Sequence, residues 1–291
     1  MSVSQLNALI SLIEDPDESI FAQVKTELIS CGESALPMLE QYWEIHRFGD
    51  LFHNRVEALI TEIQFTSICE ALKAWKESPD QDLLEGALLI NKYQYPAFEL
   101  EEIRHSILKI RQDVWLELND NLTALEITRV FNHILFGVHE FGGNKQNYNA
   151  PQNSYIADVL NSKKGNPLSL AIIYQVIANS LDIPIFGVNL PSHFVLAYLD
   201  SNAMPTGCSE KKDYGVLFYI NPFSEGTLIH TDEIGEFLGQ MDMESDSTHY
   251  VPCSNLTIIN RMLSNLIYAY GQSGNDEKAE QIKALQEVLK A

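Results

Sequence analysis

An unbroken apolar helix followed by three short strands constrains this chain more than any other feature. Between Leu168 and Leu181, Leu170, Ala171, Ile172, Ile173, Val176, Ile177 and Ala178 leave almost no polar face. A helix of that composition must be buried on all sides. Asp182-Ile183-Pro184 ends it. Ile185-Phe186-Gly187-Val188 is then a β-branched and aromatic run, and Pro191-Ser192 a turn. His193 to Leu199 is a second run and Val216 to Ile220 a third, stopped by Pro222. Residues 200–215 between them are a polar loop. A buried helix followed by an antiparallel meander predicts an α+β core.

The flanks are helical, so the predicted fold is mostly α. Leu6, Leu9, Ile10 and Ile13 form one apolar stripe, broken by Asp15-Pro16-Asp17. Ile20, Val24, Leu28 and Ile29 form a second, closed by Gly32, and Ser34 is placed to cap a third helix. Further helices are expected at 52–64 and 66–76. The order resembles a HEAT-like hairpin, which needs a neighbour to bury its apolar face. Ser78-Pro79-Asp80 is a turn, so the expected divisions are a helical region over 1–80 and a core over 82–253. Within that core, helices are expected near 83–90, 99–118 and 121–136. Residues 255–291 read as two helices in which Leu263, Leu266, Tyr270, Gly274 and Ala279 follow the packing pattern of a tetratricopeptide unit. Lys283 and Gln286 depart from that pattern.

Charge removes whole classes of partner. The chain carries 40 Asp and Glu against 19 Lys and Arg, a formal net charge of −21. Phosphate backbones and anionic membrane surfaces repel such a protein, so neither nucleic acid nor membrane is an expected partner. The N-terminus has no basic segment followed by an apolar run, and no stretch reaches the ~18 apolar residues of a membrane span. Cys31, Cys69, Cys208 and Cys253 are far apart. That spacing suits a reducing cytoplasm and excludes the usual zinc patterns. His133 and His139 stand six apart, which does not make a zinc pair on one helix face. No glycine-rich phosphate-binding motif is present, and no cofactor or metal is expected.

The order helix, strand, strand matters chemically. A papain-type site sets a thiolate at the start of a buried helix, where the helix dipole lowers its pKa. A His on a neighbouring strand acts as base, and an Asp or Asn on the next strand orients it. Here the helix begins at Gly165-Asn166-Pro167, His193 opens the second strand and Asn221 closes the third.

The matching stretches run through the chain in order. They are Leu84-Glu85-Gly86-Ala87-Leu88-Leu89, Phe141-Gly142-Gly143-Asn144, Asn153-Ser154, Gly165-Asn166-Pro167-Leu168-Ser169-Leu170, Gly187 to Phe194, Asn221-Pro222-Phe223, and Arg261-Met262-Leu263-Ser264-Asn265-Leu266. In these the chain, over about residues 83–270, resembles the bacterial SirB-type transglutaminase-like family with a tetratricopeptide tail. The resemblance implies a transglutaminase-like, papain-type core. Such cores read Gly-x-Cys at the helix start with Ala four residues after the Cys. Counting back from Ala171 puts Pro167 in the nucleophile position. The family pattern itself lacks the thiol there. Two positions depart from the family: Ser192 stands where Gly precedes the His, and Asn221 where Asp precedes Pro-Phe.

The degenerate triad positions are therefore Pro167, His193 and Asn221, with His193, Asn221, Asn153 and Asn166 as candidate binding residues. The expected function is a non-catalytic module that holds a protein or peptide in the residual cleft. The alternative is an amide-processing enzyme (protease, amidase or acyltransferase) with a displaced nucleophile, Cys208 or Ser169. Ser169 lies about 200° around the helix from Pro167, which turns it away from His193. A third reading is a scaffold whose helical ends do the binding.

Overall fold

The structure, a computed structural model, describes residues 2–44, 49–200, 215–240 and 249–290. The chain divides into two units, Met1–Ala74 with Lys92–Pro96, and Trp75–Asn91 with Ala97–Ala291.

In the first unit, α1 (Val3–Ser11) opens on a capping box between Ser2 and Gln5, and α2 (Glu18–Ser30) on Asp17, whose carboxylate accepts from the Ser19 amide. A 3-10 turn over Gly32–Ala35 leads into α3 (Leu36–Trp43). Ser34 does not cap α3. Its hydroxyl donates back to the Cys31 carbonyl at 2.7 Å, and α3 starts with Pro37 in its first turn instead. The two helices expected over 52–64 and 66–76 are one, α4 (Asp50–Glu77). Gln64-Phe65-Thr66 contains neither Gly nor Pro, so nothing there breaks the backbone ladder. Ile10, Ile13, Leu28, Leu39, Phe52, Val56 and Leu59 make the core. Arg55 is buried beside it, donating to the Ile13 and Asp15 carbonyls and pairing with Glu18, each at 2.7 Å.

The second unit receives the end of α4 and most of α5 (Leu83–Gln94). There follow α6 (Leu100–Glu117) and α7 (Ala124–Asn132), the latter started by a Thr123–Glu126 capping box. A π-helical turn over His133–Val138 extends α7. Two-residue strands β1 (Gly142–Gly143) and β2 (Lys164–Gly165) pair in parallel and flank α8 (Ile156–Ser162). Next come α9 (Pro167–Asn179) and the antiparallel meander β3 (Ile185–Leu190), β4 (His193–Leu199), β5 (Val216–Asn221) and β6 (Thr227–Ile229). The chain then forms α10 (Thr231–Gln240), α11 (Asn255–Gln272) and α12 (Asp276–Lys290).

α9 is buried all round, as its composition demands. It packs on β3 and β4 and is covered by α6, α8 and α11. The opposite sheet face, with Val188, Val195 and Tyr219, packs on Ile234 and Leu238 of α10. Gln175 of α9 ties the layers together: its side chain accepts from the Gly187 amide at 2.8 Å and donates to Asn255 of α11. Among the described residues no helix is long and apolar enough to cross a membrane. The fold is α+β and mostly α.

Candidate functional site

The start of α9 is built by hydrogen bonds local to it. Asn166 is the N-cap: its Oδ1 accepts from the Ser169 amide at 2.8 Å, while the Ser169 hydroxyl accepts from the Asn166 amide at 3.0 Å. Asn166 Nδ2 donates to Ser154 Oγ at 2.9 Å. Pro167 takes the first helical position, where its missing N–H costs nothing. Ser169 is buried and its hydroxyl is committed to the Asn166 backbone on both sides. It is not among the residues that line the neighbouring cavity.

The β3–β4 turn presents the histidine. Leu190 pairs with His193, leaving Pro191-Ser192 as a two-residue turn. Ser192 sits at φ +56°, the left-handed region that favours glycine. A left-handed side-chain residue costs about 1–2 kcal/mol. Gly would relieve most of that but add about 0.5–1 kcal/mol of chain entropy in the unfolded state. Ser192→Gly is therefore expected to stabilise the protein by about 0.5 kcal/mol, read as a small rise in the denaturant midpoint of the second unit with the cavity otherwise unchanged.

A cavity of about 440 Å³ lies within the second unit, between the start of α9, the β3–β4 turn, residues 148–150 and α11. Pro167, His193 and Asn166 line it together with Tyr148, Ser192, Phe194, Arg261, Asn265 and Tyr268. Burial holds the His193 pKa below its ordinary value, the Asn221 side-chain hydrogen bond works against that, and the Arg261 charge adds to the lowering. His193 is thus a neutral imidazole at pH 7. Asn221 hydrogen-bonds to it through its side chain without lining the cavity, and its Oδ1 accepts from the Phe223 amide. Gly143 lets the Phe223 ring close over β1, since a Cβ there would stand 2.5 Å from the ring.

Asn153, a candidate binding residue, is buried and does not line the cavity. Its side chain donates to the Asn147 and Tyr148 carbonyls at 2.6 and 2.9 Å and accepts from Asn144 Nδ2. It is a buried staple that shapes the loop carrying Tyr148.

Cys31 and Cys69 belong to the first unit. Cys253 is outside the cavity wall and burial pushes its thiol up to about 11. Cys208 lies outside the described residues. Among the described residues no three His, Cys, Asp or Glu side chains stand close enough together to hold a metal ion.

Sequence reasoning missed Arg261. Its side chain crosses from α11 to the β3 end, donating through Nη1 to Asn189 Oδ1 at 3.1 Å and the Leu190 carbonyl at 3.4 Å. Its Nε donates to Asn265 Oδ1. The available signal was an Arg spaced four residues from an Asn on one helix face, which only the tertiary fold brings to the His193 turn.

Residues 101–264 match the family model described as the Transglutaminase-like superfamily. Over 240 residues the chain is 25% identical to F-box only protein 21 of Mus musculus and 26% identical to that of Homo sapiens, covering 74% of this chain. It spans only 37% of the length of those relatives. It is 28% identical over 204 residues to a UPF0162 protein of Xylella fastidiosa (strain Temecula1 / ATCC 700964), covering 68% of each chain. No solved structure gives a significant match.

Proposed function

This chain belongs to the transglutaminase-like superfamily, and within it we propose that the protein is a non-catalytic member, a binding or regulatory module that holds a protein or peptide in a degenerate papain-type cleft. The observation that carries this reading is Pro167. At the helix start where the chemistry needs a thiolate there is a pyrrolidine ring, which has no nucleophilic atom. Support also comes from what surrounds it. The Ser169 hydroxyl is taken up by the helix cap, and the Cys253 thiol is protonated at neutral pH and lies outside the cavity. His193 and Asn221 keep the base-and-orienter arrangement without anything to deprotonate.

The proposal extends to the flanks. It assigns a HEAT-like role to residues 1–80, the degenerate core to 82–253 and a tetratricopeptide-like pair, as in the SirB-type family, to 255–291. The left-handed Gly274 between α11 and α12 supports the last. The proposed setting is the cytoplasm.

Retention of a peptide pool on the full-length protein tests this reading. His193→Ala is expected to reduce retention at least about tenfold, as for loss of a central contact. Glu287→Lys, on the exposed face of α12, is expected to leave it unchanged, and retained peptides are expected to elute intact. Loss of retention in the α12 variant alone would move binding to the helical ends. Cleaved or acyl-transferred peptides would restore the amide-processing enzyme.

A further inference from the structure

The cleft has a charge character opposite to that of the chain. Asp and Glu outnumber Lys and Arg by 40 to 19, yet among the described residues that line the cavity none is acidic. Its one formal charge is the Arg261 guanidinium. That group is partly buried, and burial lowers its pKa. Among the described residues Arg261 has no carboxylate partner: Nη1 and Nε are held by an amide side chain each and by a carbonyl, and Nη2 has no hydrogen bond. Arg55 and Arg104, by contrast, are paired with Glu18 and Glu85. A partly desolvated cation held in place by neutral acceptors and left without a counter-ion is stabilised further by an anion that enters from outside.

We propose that the occupant of this cleft is a peptide bearing a carboxylate, with Arg261 receiving the carboxylate, His193 beside it, and Tyr148 and Tyr268 flanking the residue that carries it. This rests on the cleft-binding reading above and names its ligand chemistry. A single carboxylate balances a single guanidinium. A phosphate monoester carries close to two negative charges and would meet one cation in a chain of net charge −21. Asn149 and the Nδ2 of Asn265 add amide groups suited to a peptide backbone, and about 440 Å³ is within the range of ligand pockets. Asn265 and Asn189 fix the guanidinium before the ligand arrives, so little side-chain entropy is lost on binding.

The two sources of a peptide carboxylate, chain end and acidic side chain, are separable. Three pools of N-acetylated hexapeptides would be passed over the full-length protein. One has a free C-terminus and uncharged side chains, one is the same pool amidated, and one is amidated with a single Glu in each peptide. Preferential retention of the first pool assigns a terminal carboxylate and of the third a side-chain carboxylate. Either is expected to exceed the neutral amidated pool by at least about tenfold. Arg261→Gln should abolish that preference, and Arg261→Lys, which keeps the charge without the planar fork, should recover part of it. Equal retention of all three pools, or a preference that survives Arg261→Gln, overturns the carboxylate assignment and leaves the cleft reading standing. Retention indifferent to both His193→Ala and Arg261→Gln overturns the cleft reading itself. Stronger displacement of the bound pool by inorganic phosphate than by acetate at equal concentration also overturns the carboxylate assignment.

Discussion

Gly226→Ala should destabilise the second unit by about 3 kcal/mol, enough to lower its unfolding midpoint by several degrees. Gly226 sits at φ +75° just before β6, and its amide donates to the Asn221 carbonyl. A Cβ there would stand 2.0 Å from Asn132 Oδ1 and 2.3 Å from its Cγ. Asn132 cannot give way without loss. Its Nδ2 donates to the Gly226 carbonyl at 2.9 Å, and its Oδ1 accepts from the buried Tyr174 hydroxyl at 3.2 Å. Three costs therefore coincide: left-handed backbone on a side-chain residue, an overpacked contact, and a buried hydroxyl left without its acceptor. The same turn holds Asn221 against His193, so peptide retention should fall with stability. Circular dichroism melting of Gly226→Ala beside the wild type checks the first part. An unchanged midpoint would mean that Asn132 moves freely and that the turn is not anchored as described.

Pro167→Cys should create an unusually reactive thiol. The first position of α9 lies at the positive end of a buried helix, on a cavity wall shared with His193 and Arg261. The helix end and the Arg261 charge favour the thiolate directly, and the neutral His193 imidazole is placed to accept its proton. A pKa near 7 makes about half the thiol ionised at neutral pH. The Cys253 thiol, pushed up to about 11, is ionised to about one part in 10⁴. Set against the lower intrinsic nucleophilicity of a low-pKa thiolate, alkylation by iodoacetamide at pH 7 should still favour the introduced thiol over Cys253 by a factor on the order of 10². Adding His193→Ala should slow the reaction by removing the neighbouring imidazole. An introduced thiol with an ordinary pKa, indifferent to His193, would mean that the helix start is not poised as a nucleophile site.

The parts of this protein legible in sequence are those fixed by composition over short distances. The all-apolar run of α9 could only be a central helix, and Pro184, the Pro191-Ser192 turn and Pro222 marked the strand ends where they fall. Strand β6 was not legible, because Thr227–Ile229 is too short for alternation to register and exists by pairing with β5. The expected division of α4 into two helices fails because Gln64-Phe65-Thr66 holds no residue able to break a helix. In the cleft, the order of Pro167, His193 and Asn221 could be read along the chain. The role of Asn153 could not, since its loop carbonyl partners at 147 and 148 are a matter of local coordinates. Arg261 is the clearest case. It lies 68 positions beyond His193 in the numbering, and only the docking of α11 on α9 and β3 brings the two to one cavity.

Intact-mass analysis after exposure to a peptidyl electrophile tests most directly whether the cleft binds without reacting. Wild type and Pro167→Cys would be treated side by side at pH 7. The expected result is one adduct more on the variant than on the wild type, mapped to position 167, and none on any cavity residue of the wild type. A covalent adduct on a thiol or hydroxyl of the wild-type cleft, lost in His193→Ala, would contradict it and establish a working nucleophile.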